Sequence, residues 1–187
     1  KKILITGGAG FVGSFLVDKL ISLGYGVVSV DSLEEQVHRG KKPDYLNPNC
    51  EYFWGDCSDR ELLRKILPDI NIVFHLAATV GVGQSMYEIE RYTRKTTLAT
   101  AALLEGIIPI KDSIEKIIVA SSMSVYGEGT YIDSVGKLYY PKGRTEKQLK
   151  DRKWEMINPE TSEVLKHVPT LEDRPLYPSS IYAINKR

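Results

Sequence analysis

A glycine-rich run near the start of the chain limits the possible folds more than any other feature. The run Thr6-Gly7-Gly8-Ala9-Gly10-Phe11-Val12-Gly13 follows a short apolar stretch at residues 3–6. It opens a second stretch, residues 11–23, whose apolar side chains recur at helical spacing. A strand, a glycine turn and a helix in this order are typical of a dinucleotide-binding unit.

The three spaced glycines of this turn each have a physical role. Gly7 permits a tight turn, Gly10 allows a pyrophosphate to approach the backbone, and Gly13 allows the helix to pack closely on the sheet. The N–H groups at the start of the helix then face the phosphates. The turn therefore predicts a dinucleotide cofactor.

An acidic residue, Asp31, ends the second predicted strand. Its carboxylate can accept hydrogen bonds from a ribose diol and would repel a 2′-phosphate, which favours NAD over NADP. Asp56 follows the third strand and is predicted to accept from the adenine amino group, although it could instead cap the next helix. The other predicted cofactor residues flank these turns: Phe11, Val12, Ser32, Cys57, Leu76, Ala77 and Ala78.

Short β-rich segments alternate with helical patterns along most of the chain. Strands are predicted at residues 3–6, 27–31, 51–54, 71–76 and 116–121, and helices at residues 11–23, 59–67 and 87–106. This rhythm predicts a Rossmann-like doubly wound parallel sheet. We assign residues 1–127 and 171–187 to this domain, and the polar residues 128–170 to an insertion after the fifth strand with little regular structure. His75 lies within the fourth strand and is expected to be a buried structural residue.

Composition excludes several classes of partner. The chain has 187 residues, 42% of them hydrophobic and 26% charged, with a formal net charge of +1. This balance argues against a nucleic-acid or anionic-membrane surface, and no apolar run predicts a membrane span. Cys50 and Cys57 have no pattern typical of a metal site, so we expect no metal and a cytoplasmic protein with reduced thiols.

A second group of polar residues indicates catalysis. Ser122 and Ser124 follow the fifth strand, while Tyr182 and Lys186 are spaced to share one face of the last helix. An ammonium group beside a phenol favours the phenolate, so the tyrosine can act as a general base. A serine hydroxyl can hold the reacting oxygen, and the lysine can also bind the nicotinamide ribose.

Together these motifs resemble the extended short-chain dehydrogenase/reductases, the NAD-dependent nucleotide-sugar epimerase/dehydratase family. The resemblance covers residues 1–127 and 175–187. It implies that Ser122, Tyr182 and Lys186 are catalytic, that Tyr182 and Lys186 also contact NAD, and that Ser122, Ser124 and Tyr182 contact a nucleotide-sugar substrate. It also implies a homodimer for the full-length protein.

Departures from the family pattern narrow the chemistry. Sugar 4,6-dehydratases have an Asp-Glu pair where this chain has Met123 and Ser124, so the resemblance implies epimerisation at C4 through a transient 4-keto sugar. The alternatives are a nucleotide-sugar dehydrogenase, reductase or decarboxylase, and a non-catalytic NAD-sensing module. Val80 replaces a Lys of UDP-galactose 4-epimerases, and Thr96 replaces an Asn that is common in the family. Both changes slightly favour the non-catalytic module.

A closer likeness is to bacterial epimerases of the dTDP-L-rhamnose 4-epimerase type. It rests on residues 36–38, 42–47, 80–88 and 121–129. Relatives of that type carry two Cys-x-x-Cys pairs in the insertion, where this chain has no cysteine, so packing must hold the loop. The family places its substrate lobe after the helix of Tyr182. We therefore expect that this lobe is absent, that the chain is a fragment, and that it is inactive alone.

Overall fold

A parallel sheet forms the centre of the protein. The structure is a computed structural model that describes residues 1–187. The sheet has five strands in the order β3-β2-β1-β4-β5, and every neighbouring pair is parallel. The strands are β1 Lys2–Thr6, β2 Gly26–Asp31, β3 Glu51–Trp54, β4 Ile72–His75 and β5 Lys116–Val119.

Helices cover both faces of this sheet. One apolar core lies between the sheet and helices α3 and α6, and a second lies beneath α1. The chain proceeds from β1 to one side of the sheet and then crosses to the other, so the strand order reverses between β1 and β4. The doubly wound sheet is confirmed, and its reversal point is where open α/β sheets bind ligands. The helices are α1 Phe11–Ser22, α2 Glu35–His38, α3 Arg60–Ile66, α4 Val82–Ser85, α5 Ile89–Thr93, α6 Ala99–Ile107, α7 Glu146–Lys150 and α8 Ile181–Lys186.

The long helix predicted at residues 87–106 is interrupted. Helix α5 ends at Thr93, α6 begins at Ala99, and the residues between them, Arg94–Leu98, form a π-helical turn. A π turn changes which side chains face the sheet, and such turns are frequent at functional sites. Hydrophobic periodicity over a whole helix does not reveal the widening of one turn, so the sequence predicted an unbroken helix.

The insertion contains more regular structure than the sequence indicated. Strands β6 Thr130–Ile132, β7 Leu138–Tyr139 and β8 Lys166–Val168 form a three-stranded antiparallel sheet in the order β7-β6-β8. Each strand is too short to show an alternating pattern, and β8 comes from the far end of the insertion. Only the folded chain brings these strands together.

A buried asparagine holds the insertion together by hydrogen bonds. Asn158 is 1% exposed, its amide donates to the Tyr139 hydroxyl at 3.0 Å, and its oxygen accepts from the Glu160 N–H at 2.9 Å. The Tyr139 hydroxyl in turn donates to Asp133 at 3.1 Å. The loop is therefore held by a polar network as well as by packing.

None of the helices combines the length and the apolar character that crossing a bilayer requires.

His75 joins the sheet to helix α6, as expected for a buried structural histidine. The ring is 3% exposed, with Nδ1 2.7 Å from the Thr6 hydroxyl and Nε2 2.9 Å from the Thr100 hydroxyl. Thr6 accepts from the Ala77 N–H, and Thr100 donates to the Thr96 carbonyl. Thr6 therefore donates to Nδ1, and Thr100 accepts from Nε2–H, which fixes one neutral tautomer.

This neutral histidine makes folding stability depend on pH. Burial, with a smaller effect of the Lys186 charge, lowers the pKa of His75 from 6.5 to about 4. Between these values the unfolded chain binds a proton that the folded chain does not, so stability falls as pH falls through this window. We expect protonation of His75 in the unfolded chain to lower the free energy of unfolding by about 3 kcal/mol across this window. Urea unfolding measured as a function of pH should show a smaller loss of stability in His75→Gln. His167 is exposed, so His167→Gln is the control and should show the same dependence of stability on pH as the parent. An equal dependence on pH in all three proteins would contradict this assignment.

Candidate cofactor and catalytic site

A cleft of about 320 Å³ opens at the carboxyl ends of the strands. It lies where the strand order reverses, between the glycine turn after β1 and the ends of β2, β3 and β4. All of the predicted cofactor residues that precede α8 in the chain line this cleft: Gly7, Gly10, Phe11, Val12, Gly13, Asp31, Ser32, Asp56, Cys57, Leu76, Ala77 and Ala78. Residues far apart in sequence therefore form one wall.

The glycine turn has no room for a side chain at several positions, among them Gly7 and Gly13. Gly7 has a φ of +76°, and a Cβ there would lie 3.0 Å from the Ala77 nitrogen. A Cβ on Gly13 would lie 2.1 Å from the Gly7 carbonyl oxygen. Gly10 caps helix α1 without a side-chain hydrogen bond, so the first N–H groups of the helix remain available to an anion. This cradle fits a pyrophosphate.

Asp31 is held rigidly at the end of β2. Its two carboxylate oxygens accept from the Ala9 N–H at 3.0 Å and from the Leu33 N–H at 2.9 Å. The residue is 8% exposed and lines the cleft. Each oxygen retains a free lone pair, so the carboxylate can accept from a ribose diol.

Asp56 is free of the capping role that the sequence left open. Helix α3 is capped by Asp59, whose side chain accepts from the Glu61 N–H at 2.9 Å. Asp56 instead accepts from the N–H and the hydroxyl of Ser58 and lies 3.4 Å from the Lys95 ammonium. Burial opposes ionisation of Asp56, but these bonds and the Lys95 charge outweigh it, so its pKa is lowered. An ionised acceptor therefore faces the cleft.

Further residues line the cleft that the sequence did not predict as cofactor contacts: Glu34, Val37, His38, Thr79 and Lys95. Val80, which stands where UDP-galactose 4-epimerases have a Lys, lines the cleft as well. Lys95 lies in the π turn and reaches both Asp56 and Glu34, whose carboxylate is 3.3 Å away. Burial opposes the charge of Lys95, but the bonds with Glu34 and Asp56 dominate, so its pKa is raised. The likeness at residues 36–38 and 80–88 lies beside this wall, but it assigned no cofactor contact to Glu34, His38 or Lys95.

The two serines predicted after β5 are hydrogen-bonded to each other. Ser122 begins a 3₁₀ turn, Met123–Tyr126, and its oxygen accepts from the N–H of Ser124 at 3.2 Å. The Ser124 hydroxyl also donates to Ser122 at 2.9 Å. The proton of the Ser122 hydroxyl is thus free for a bound substrate.

Polar contacts join helix α8 to α4 and to the residues that follow β5. The Ser180 hydroxyl caps the helix by accepting from the Ala183 N–H, and the Ser85 hydroxyl accepts from the Tyr182 N–H at 3.0 Å. The Lys186 ammonium donates to the Ala120 carbonyl at 2.6 Å. Burial lowers the pKa of Lys186. The helix thus lies beside the serines, although the hydrogen bonds of Lys186 join it to β5 rather than to Tyr182.

Comparisons with known proteins agree with this arrangement. Residues 3–146 match the family model described as "NAD dependent epimerase/dehydratase family". The chain is 32% identical over 190 residues to dTDP-L-rhamnose 4-epimerase of Burkholderia thailandensis, covering 100% of this chain and 51% of the relative. The chain spans about half the length of the curated relatives it matches.

Solved structures show the same likeness. The UDP-N-acetylglucosamine 4-epimerase of Methanobrevibacter ruminantium superposes with a TM-score of 0.68 at 30% identity, covering 100% of this chain and 48% of that one. MoeE5 in complex with UDP-glucuronic acid and NAD gives a TM-score of 0.66 at 30% identity, covering 100% and 46%. The expectation of NAD as the cofactor is confirmed by the family and by the NAD complex of MoeE5. The chain belongs to the NAD-dependent epimerase/dehydratase family.

Proposed function

We propose that this chain is the cofactor-binding half of an enzyme that inverts C4 of a nucleotide-activated sugar through a transient 4-keto sugar. The observation that carries the proposal is the docking of α8 on the end of β5. It places the element bearing Tyr182 and Lys186 beside Ser122 and Ser124, at the same edge of the sheet as the cleft. A binding module that only senses NAD has no need of this second group.

Different residues of the cleft would bind different parts of the cofactor. The glycine turn and the start of α1 would hold the pyrophosphate, because free N–H groups and the helix dipole favour an anion there. Asp31 would accept from the adenosine ribose, and Asp56 from the adenine amino group. Ala77 and Ala78 are small, so the cofactor can lie against the backbone after β4.

The catalytic residues would move a proton at the sugar. Tyr182 would remove the proton of the C4 hydroxyl and later return it, with Lys186 as the nearby positive charge. The free proton of the Ser122 hydroxyl would hold the C4 oxygen in line with the phenol. Bound NAD would supply a reversible hydride acceptor, so no net redox change occurs.

The residues after Ser122 favour epimerisation over dehydration. Met123 is 86% exposed and carries no ionisable group, and the Ser124 hydroxyl is engaged with Ser122. Expelling water from the sugar requires an acid and a base, and neither residue can serve as one near neutral pH. A homodimer of the full-length protein and a cytoplasmic location complete the proposal, the latter in keeping with the buried free thiols Cys50 and Cys57.

Removal of the Tyr182 hydroxyl tests the chemistry. In the full-length protein, Tyr182→Phe should reduce turnover by about 100-fold or more while NAD affinity changes little, because only the proton acceptor is lost. Tyr25 directly precedes β2, at the amino ends of the strands and away from the cleft, so Tyr25→Phe is the control and should keep full turnover. NMR analysis of C4 inversion on a panel of dTDP-, UDP- and GDP-sugars measures this. Retained turnover in Tyr182→Phe would refute the assignment, and stoichiometric release of NADH by the parent would favour a dehydrogenase.

A methyl group at Gly13 tests the cradle. Gly13→Ala should lower NAD affinity at least about tenfold and lower stability, because the added Cβ overlaps the Gly7 carbonyl and displaces the turn. Gly83→Ala, where no atom lies within 4 Å of the new Cβ, is the matched control. Isothermal titration with NAD and thermal unfolding measure the two effects. Equal affinity of the two variants would contradict the proposed position of the pyrophosphate.

A further inference from the structure

A row of alternating acidic and basic side chains crosses one end of the cleft, where Asp56 is proposed to hold the adenine. Glu34, in the loop between β2 and α2, lies 2.8 Å from Arg91 of α5 and 3.3 Å from Lys95 of the π turn. Lys95 continues to Asp56 after β3 at 3.4 Å, and Arg91 also binds Glu88. The network therefore joins three elements that are far apart in sequence.

These charged groups lie at the mouth of the cleft rather than on its floor. The side chains of Glu34, Lys95 and Asp56 are 24%, 32% and 36% exposed. Cys57, on the same wall, is only 6% exposed. Because partly buried charges are screened less than exposed ones, a connected network here is stronger than an isolated surface pair.

Neutral hydrogen bonds support the same bridge. Gln36, in α2, donates to the Gln84 side chain of α4 at 3.0 Å. The hydroxyl of the fully buried Tyr92 donates to the same oxygen at 3.0 Å, and Gln84 donates to Glu88. The loop that follows Asp31 is thus joined to α4 and α5 beside the cleft.

We infer that Glu34, Arg91 and Lys95 form an ionic clasp across the mouth of the cleft that slows the release of NAD. The inference rests on the proposed function, because an epimerase regenerates its NAD in each cycle and gains nothing from exchanging it. Lys95 and Glu34 are therefore cofactor-retaining residues. They slow the dissociation of NAD, whereas Asp31 and the glycine turn make the direct contacts with it.

The test measures the dissociation of NAD from the full-length holoenzyme. An etheno-NAD complex is chased with excess unlabelled NAD, and the fluorescence change gives the rate. Lys95→Met and Glu34→Gln should each raise this rate about tenfold or more, with little change in the association rate. Arg94→Met is the matched control, since it removes an exposed ion pair with Glu90 that does not line the cleft, and it should leave the rate unchanged.

Salt gives a second measurement that needs no variant. Dissociation from the parent should accelerate between about 0.05 and 0.5 M NaCl, while Lys95→Met should respond much less. Rates within twofold of the parent in both clasp variants, an equal rise in Arg94→Met, or a salt-independent parent would overturn the clasp. Failure of the parent to bind NAD would overturn both proposals. NAD binding without turnover of any sugar would overturn the epimerase proposal and leave the clasp to be judged by the rates.

Discussion

Helix α1 meets the glycine turn at a distance that leaves no space for a side chain at Gly13. A Cβ there would lie 2.1 Å from the Gly7 oxygen, and one on Gly7 would press on the backbone of Ala77. This close approach brings the start of the helix to the end of β4 and sets the depth of the cleft. The position of Asp31 depends on it as well, because the Asp31 carboxylate accepts from Ala9 within the same turn.

Charge is arranged around this cradle in two groups. At the end of the cleft beside Asp56, acidic side chains on the loops after β2 and β3 face basic side chains of the π turn and α5. At the other end, Lys186 is half-buried, bound to a backbone carbonyl, and has a lowered pKa. The first arrangement underlies the proposed retention of the cofactor, and the second underlies the proposed proton transfer at Tyr182.

Much of the fold and most of the cofactor wall could be predicted from the sequence. The strands of the parallel sheet are continuous apolar runs next to turn residues, and the cleft residues follow strand ends, so local patterns are sufficient. The sheet of β6, β7 and β8 was missed because its strands are very short and its network converges on Asn158 from distant segments. Lys95 was missed because its direction depends on the π turn, which periodicity does not register.

The sequence by itself determined the parallel α/β sheet, the glycine turn and the acid at the end of β2, and it predicted catalytic roles for Ser122, Tyr182 and Lys186. Each of these is encoded within a few neighbouring residues, so its physical requirement is visible locally. Only the tertiary structure decided that the insertion forms a sheet and that Arg91 and Lys95 both meet Glu34. Those outcomes depend on distances between segments remote in the chain, which packing of the helices on the sheet establishes.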